Sequence, residues 1–305
     1  MTLKPECNTT RQRSPAQPWT CAPAMVGRLW LATVCLILSM STATADVQRR
    51  DQDEAAWKSL RAEYFGDRAI ADGQDVVTLD APYRAEDPAV VPITISDLRA
   101  GTDEPPIRKL WLVIDNNPVP MSAQFEFGPA AGSATIALRV RVNSYTYMRV
   151  LAESSDGQLY MVKRYVKASG GCSAPIGRDL NAARQNMGEM RLRRVRIDDG
   201  DETRSQLMIR HPNITGLQMD QLTRLVEPAH FVDAITLRKG DALVLDSTMT
   251  FSLSANPSLQ FDVARNAAGE LTAEVQDNKG NQFRQTWPAD AGASQAKTTD
   301  DGTIR

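Results

Sequence analysis

Cys172 is the residue of this chain whose chemistry stands out, because it is a thiol in a run of small residues. It follows two glycines in the stretch Lys167-Ala168-Ser169-Gly170-Gly171-Cys172-Ser173-Ala174-Pro175. Gly170 and Gly171 leave the backbone free to take many conformations, so the pattern predicts an exposed thiol on a mobile arm. Such a thiol can attack a sulfane or disulfide sulfur and hold the product covalently.

The charges near the cysteine in sequence bear on how reactive its thiol is. Four cations flank it along the chain: Lys163, Arg164, Lys167 and Arg178. Cations favour the thiolate, which is the reactive form, so we expect them to lower the pKa of Cys172. The alternative is a buried, inert cysteine, and the Gly-Gly-Cys pattern alone leaves that alternative open.

The first 45 residues have the pattern of a cleavable signal peptide. Leu29 to Met40 is an apolar run that Arg28 precedes, and Ala43-Thr44-Ala45 supplies small residues at the cleavage spacing. We therefore expect cleavage before Asp46 and a periplasmic protein. The alternative is that the apolar run remains as a membrane anchor.

The cysteine count changes once this segment is removed. The chain has four cysteines, of which three lie in or ahead of the apolar run: Cys7, Cys21 and Cys35. Cys172 is then the only cysteine from residue 46 onward. An unpaired cysteine in an exported protein indicates either an intermolecular bridge or a reactive thiol.

Length and charge narrow the function classes. Residues 1–45 carry four basic groups and one acid, which leaves a net charge of about −5 for residues 46–305. A mildly acidic chain with scattered charges has no footprint for nucleic acid and no polybasic patch for a membrane. The length after cleavage suits two small domains.

The strand pattern predicts an all-β protein with a short helix ahead of the strands. Asp51–Phe65 has apolar residues at helical spacing, and two series of short alternating segments follow it. Series without intervening helices indicate antiparallel β-sandwiches. The predicted organisation is a signal peptide at 1–45, a sandwich at 46–168, a linker bearing Cys172 at 169–187, a second sandwich at 188–289 and a disordered tail at 290–305.

Other residues with chemical potential have simpler structural interpretations. His211 and His230, the only histidines, have no second ligand at metal spacing. The acidic stretch 198–202 lacks the spacing of a calcium loop and is typical of a solvated turn. We therefore expect no metal and no cofactor. The tryptophans are more typical of the core: Trp57, Trp111 and Trp287.

Motifs in both halves resemble a known pair of proteins. The first half resembles SoxY, the cysteine-bearing subunit of a periplasmic sulfur-oxidation carrier, in Phe65-Gly66-Asp67-Arg68, Leu79-Asp80-Ala81-Pro82, the stretch 86–92 (EDPAVVP), Asp115-Asn116-Asn117-Pro118 and Gly170-Gly171-Cys172. The second half is similar to the partner subunit SoxZ in Ile209-Arg210-His211-Pro212, Thr215-Gly216-Leu217, Pro228-Ala229-His230-Phe231, Asn256-Pro257 and Asp277-Asn278-Lys279-Gly280.

The resemblance implies a fold and a role. Both subunits are immunoglobulin-like sandwiches that form a heterodimer, so we expect the two sandwiches of this chain to pack on each other. SoxYZ holds sulfur intermediates on a swinging-arm cysteine while other enzymes oxidise, hydrolyse and release them. The resemblance implies that Cys172 is the covalent carrier thiol and that Gly170 and Gly171 give the arm its mobility. It also implies that the chain itself is not an enzyme.

One departure from the family pattern leaves the cargo and partners open. The SoxY cysteine lies at a free C-terminal end, whereas Ser173-Ala174-Pro175 and a further domain follow Cys172 here. The chain is similar to fused SoxYZ-like proteins associated with quinoprotein dehydrogenases. Its expected partners are sulfur-oxidation enzymes or such a dehydrogenase with its cytochrome c. In the second case it is an accessory protein with a dispensable thiol. A third alternative is an adhesive or structural protein with an unreactive cysteine.

Overall fold

The structure is a computed structural model that describes residues 54–175, 184–196, 202–219 and 224–289. The predicted signal peptide, the acidic turn at 198–201, residues 176–183 of the linker and the predicted tail lie outside these residues. Among the residues described, no helix is long and apolar enough to cross a membrane.

The described chain consists mainly of β-strands, which confirms the predicted all-β class with a helix ahead of the strands. The helix α1 covers residues 54–65. The first half holds β1 (Ile70–Asp72), β2 (Val77–Asp80), β3 (Val91–Asp97), β4 (Ile107–Ile114), β5 (Met121–Phe127), β6 (Ala131–Val140), β7 (Thr146–Ser154) and β8 (Leu159–Val166). The second half holds β9 (Met190–Arg196), β10 (Glu202–Ile209), β11 (Val232–Lys239), β12 (Ala242–Met249), β13 (Ser258–Ala264), β14 (Leu271–Asp277) and β15 (Gln282–Trp287).

The strands form two sheets, and each half contributes strands to both. One sheet has nine strands in the order β1-β8-β7-β4-β5-β12-β11-β14-β15, and the other has six in the order β2-β3-β6-β13-β10-β9. The strand pairs are antiparallel except β1 with β8, which is parallel. The sequence pattern did not predict the short strand β1.

The two halves join through strand pairing in both sheets. β5 pairs with β12, with Phe125 opposite Ser247, and β6 pairs with β13, with Ile136 opposite Phe261. Both sheets therefore continue from the first half into the second, and backbone hydrogen bonds join the halves edge to edge.

A shared apolar core lies between the sheets. The alternation along β3 places Val91, Ile93 and Ile95 inside, as a half-buried strand requires. Phe125 from the first half and Phe261 from the second belong to one cluster of buried side chains. Truncating either ring to alanine would cost about 3–5 kcal/mol, so the junction between the halves is part of the core.

The helix covers the outer face of the nine-stranded sheet. Trp57 and Phe65 of α1 pack on Val113 of β4 and Leu151 of β7, in a cluster separate from the main core. Trp57 is thus buried, as predicted. Arg149 of β7 points to the same side and stacks on Trp57, with 4.6 Å from its guanidinium carbon to the ring centre.

Candidate functional site

Residues 170–174, which we call the cysteine turn, include the buried residues Gly171 and Cys172. Gly170 has a φ of 82°, a conformation that residues with side chains rarely adopt. Gly171 has no room for a side chain, since a Cβ there would lie 2.0 Å from the carbonyl oxygen of Pro88. Its amide donates to the carbonyl of Val142 at 2.9 Å. In this conformation Gly170 supplies the positive φ and Gly171 permits close packing, and the arm mobility expected of the pair stays a prediction.

Cys172 itself is fully buried, with 0% of its surface exposed. Burial raises the pKa of its thiol to about 11, and the guanidinium of Arg141 opposes that rise only in part. The thiol is therefore protonated at neutral pH, and a protonated thiol is a poor nucleophile. The predicted exposed thiol with a low pKa is wrong for this closed turn, because desolvation of the thiolate outweighs one neighbouring cation.

Two of the cations that flank the cysteine in sequence have other partners in space. Lys163 Nζ lies 2.5 Å from Glu54 Oε1 of the helix. Lys167 Nζ lies over the ring of Tyr83, 5.3 Å from its centre. Arg178 falls outside the described residues. Proximity along the chain was thus a poor guide, because the cation whose charge acts on the thiol is Arg141.

Arg141 is the cation next to the thiol, and sequence analysis missed it because it follows β6, far from Cys172 along the chain. Its side chain is only 4% exposed. Nη1 donates to the Gly171 carbonyl and Nη2 to the Asn213 carbonyl, each at 3.3 Å. Its Nε has no acceptor among the described residues. Burial lowers the pKa of Arg141, while the charges of Cys172 and Asp87 raise it.

The second half of the chain holds the cysteine turn by two further hydrogen bonds. Thr215 Oγ1 donates to the Cys172 carbonyl at 2.6 Å, and Gln218 Nε2 donates to the Ala174 carbonyl at 2.7 Å. Gln218 Oε1 in turn accepts the amide of Thr215 at 3.1 Å. The turn therefore lies at the junction of the two halves, held through its backbone.

Asn117 fixes the segment that carries Arg141. Its Nδ2 donates to the Arg141 carbonyl at 2.9 Å and to Ser252 Oγ at 3.1 Å. Its Oδ1 accepts the amide of Asn143 at 2.9 Å. The buried amide thus ties the end of β6 to the turn after β12, which gives a structural reason for the Asn-Asn-Pro motif.

Two histidines, predicted to have structural roles, meet beside this junction around one carboxylate. His230 Nε2 lies 2.8 Å from Asp277 Oδ2, and His211 Nε2 lies 3.5 Å from the same oxygen. Burial alone would raise the pKa of Asp277, but hydrogen bonds from Asn281, His230 and Lys279 lower it to about 2. The carboxylate is therefore ionised, and His230 donates to it.

The donor pattern of this cluster argues for hydrogen bonding over metal binding. The ligand atoms of His211, His230 and Asp277 lie within 4.8 Å of one another, close enough for a metal. However, His211 Nδ1 accepts the amide of Asn213 at 3.1 Å, so Nε2 carries the proton of the neutral ring. A metal on Nε2 would require a proton on Nδ1, facing that amide. The cluster does not fit a metal ion.

The remaining candidates do not converge on the thiol. Trp111 and Trp287 are partly buried and pack against the two apolar clusters. An open groove of about 920 Å³ lies between the helix and strands β1, β2 and β8, lined by Arg61, Lys163 and Arg164 among others, and Cys172 is not part of its lining.

Comparisons with known proteins match the two halves separately. Residues 61–172 match the family described as "Sulfur oxidation protein SoxY", and residues 191–288 match "Sulphur oxidation protein SoxZ". No match was found among curated proteins. The sulfur carrier protein SoxY from Chlorobium limicola f thiosulfatophilum is 25% identical, covers 40% of this chain and 98% of its own, with a TM-score of 0.33. A beta-glycosidase from Bacteroides vulgatus is 10% identical over 70% of this chain and 24% of its own, with a TM-score of 0.22.

Proposed function

Because this chain joins a SoxY domain to a SoxZ domain in the fused SoxYZ-like arrangement, we propose that it is a periplasmic sulfur carrier. It holds a sulfur-containing intermediate covalently on Cys172 and presents it to partner enzymes, without catalysing turnover itself. The observation that carries the proposal is the SoxY match, which ends at Cys172, the cysteine that both halves of the chain hold.

The closed turn sets a condition on this role. Cys172 is fully buried and its thiol has a raised pKa, so it reacts only when the turn opens. Besides the backbone bonds of Gly170 and Gly171, three side-chain hydrogen bonds reach carbonyls of the turn, from Thr215, Gln218 and Arg141. Bonds of this kind are worth about 0.5–1.5 kcal/mol each, which is compatible with reversible opening.

The test is intact-mass spectrometry of the protein purified from its native compartment. A carrier will show a population with added mass on Cys172, and Cys172→Ser will remove that population while the fold persists. Ser173→Ala, one residue further on, is the matched control and keeps the adduct. Full activity of the Cys172→Ser strain in sulfur oxidation would refute the carrier role. N-terminal sequencing of the same sample tests cleavage before Asp46.

The burial of Cys172 favours one second candidate, an accessory protein of a quinoprotein dehydrogenase. In that role the thiol is dispensable, and a buried cysteine with a raised pKa is the expected state. A pull-down would recover the dehydrogenase, and Cys172→Ser would leave its activity unchanged. Loss of the dehydrogenase activity in Cys172→Ser, together with an adduct on the wild-type thiol, would favour the carrier function.

A further inference from the structure

We propose that Thr215, Gln218 and Arg141 are positioning residues that hold the empty thiol in the closed turn, and that an anionic adduct on Cys172 opens it. We call their three hydrogen bonds to the turn the clamp. This inference rests on the carrier function proposed above, and it adds a coupling between the charge state of the carrier and the exposure of its arm.

The first step is steric. Cys172 is 0% exposed, and the backbone beside it already touches Pro88, with no space for even one extra carbon at Gly171. Protein interiors are close-packed, so a group of several heavy atoms added to the sulfur has no place to go without displacing neighbours. A loaded thiol is therefore incompatible with the closed turn as it stands.

The second step is electrostatic. A sulfur adduct ending in a sulfonate carries a negative charge, and a buried charge is costly unless it is paired and hydrogen-bonded. Arg141 is the nearby cation, but its Nη1 and Nη2 are bonded to the carbonyls of Gly171 and Asn213. Two of its five N–H donors are thus engaged and Nε lacks an acceptor among the described residues, so a sulfonate would share one guanidinium with the carbonyls that it already holds. Water satisfies the sulfonate better than the closed turn does.

Opening of the turn breaks hydrogen bonds of the clamp. The clamp bonds reach only backbone carbonyls of the turn, so no side chain of the turn has to change for them to break. Thr215 and Gln218 come from the second half, whereas Arg141 belongs to the first. Breaking the two bonds from the second half frees the carbonyls of Cys172 and Ala174 together, without disturbing the strand pairs that join the halves.

The first experiment measures how often the empty turn opens. The purified protein is treated with iodoacetamide under native conditions, and the rate of Cys172 alkylation is followed by mass. Thr215→Val and Gln218→Ala should each raise the rate about threefold to tenfold, the loss of one ordinary hydrogen bond. Thr215→Ser should restore the wild-type rate. Thr272→Val, which removes an exposed hydroxyl contact with Thr286, is the control.

The second experiment loads the thiol with a charged group. The Cys172 thiolate attacks a central sulfur of tetrathionate, the central S–S bond breaks, and thiosulfate leaves with the electron pair. The protein keeps a thiosulfonate group, and loading is verified by intact mass. Hydrogen exchange in 168–175 and 213–219 should be at least tenfold faster in the loaded protein than in the free protein. A neutral carbamidomethyl adduct should have a smaller effect.

The outcomes separate this inference from the carrier function. Wild-type alkylation rates in both Thr215→Val and Gln218→Ala, or unchanged protection after tetrathionate loading, would overturn the clamp even if Cys172 carries an adduct in the native protein. Faster alkylation in both variants, with faster exchange in the loaded wild type, supports the clamp whatever cargo the native protein holds.

Discussion

Two buried arginines, Arg149 and Arg141, show how the same side chain serves different purposes in one molecule. Arg149 lies beneath the helix, 0% exposed, with Nε 2.9 Å and Nη2 2.9 Å from Asp115 Oδ2. Glu54 of the helix adds a second carboxylate at 3.4 Å. Arg141 beside the thiol is held by carbonyl oxygens and forms no ion pair with the described residues.

The charge of Arg149 is neutralised by carboxylates, whereas that of Arg141 is not paired directly. Paired carboxylates cancel the charge of Arg149, so its role is to fasten the helix to the sheet. Carbonyl oxygens orient Arg141 without cancelling its charge, and its field reaches Cys172. A buried cation without a paired carboxylate is costly, and at Arg141 the charge of Asp87 offsets only part of the cost of burial.

The largest effect that we expect comes from Asp115→Asn. The change leaves Arg149 buried without its main counter-charge, and breaking a buried pair in this way costs about 3–5 kcal/mol. Urea denaturation measures the loss. Glu54→Gln is the matched control, because Glu54 is partly exposed and its pair should contribute less than about 1 kcal/mol. Equal losses in the two variants would show that Asp115 is not what neutralises Arg149.

The next effect concerns the thiol side of the comparison, at alkaline pH. Because the folded-state pKa of Cys172 is raised to about 11 from an ordinary value of 9.0, the unfolded thiol ionises first as pH rises. The stability that the closed turn gains from the neutral thiol is present below pH 9 and is lost between pH 9 and 11. Two pKa units correspond to about 2–3 kcal/mol.

Cys172→Ser tests this alkaline loss, since serine has a similar shape and does not ionise in this range. Between pH 8 and pH 11, the free energy of unfolding of the wild type should fall by about 2–3 kcal/mol more than that of Cys172→Ser. Parallel curves would mean that the thiol is already solvated in the native state, and the closed turn would then be a minor conformation.

How far the sequence predicted this molecule depends on the range of the interactions involved. Strand β3 and the helix that contains Trp57 follow from local periodicity, and the structure contains both. The join between the halves does not, because the pairing of β5 with β12 is a long-range contact that no local pattern encodes. The short parallel strand β1 has too few residues to show an alternation.

The candidate site was predicted in part, and for the same reason. Cys172 was identified from its glycine neighbours, which were interpreted only as a source of backbone freedom, whereas Gly171 permits close packing against Pro88. The cations were expected among residues close to Cys172 in sequence. Arg141 instead follows β6, and Thr215 belongs to the second half of the chain. A glycine pair predicts unusual backbone geometry, and only the surrounding fold decides whether that geometry is mobile or fixed.

Arg141→Gln changes the other buried arginine, and it should lower the free energy of unfolding less than Asp115→Asn does. The change leaves no carboxylate unpaired, but it weakens the bonds to the Gly171 and Asn213 carbonyls, which should cost about 1–2 kcal/mol. The pKa of Cys172 should rise further, because the cation that lowers it is gone. The pH dependence of alkylation measures that pKa. Arg139→Gln, an exposed arginine on the same segment, should change neither quantity.

The smallest effect comes from His211, whose ring accepts the amide of Asn213, two residues before Thr215. Burial, then the charge of His230, lowers its pKa, so its unfolded form takes up a proton first as pH falls. The stability that its neutral ring contributes is present above about pH 6.5 and is lost as pH falls toward the lower folded-state pKa.

Protonation of His211 also places an N–H on Nδ1, opposite the amide of Asn213 that it now accepts. Asn213 and Thr215 are neighbours, so acidification should loosen the clamp as well as the fold. Alkylation of Cys172 by iodoacetamide, corrected for the thiolate fraction, should therefore speed up between pH 7 and pH 5. His211→Gln should remove that acceleration and flatten the stability curve over the same interval. An identical acid response in this variant would assign the effect to a group other than His211.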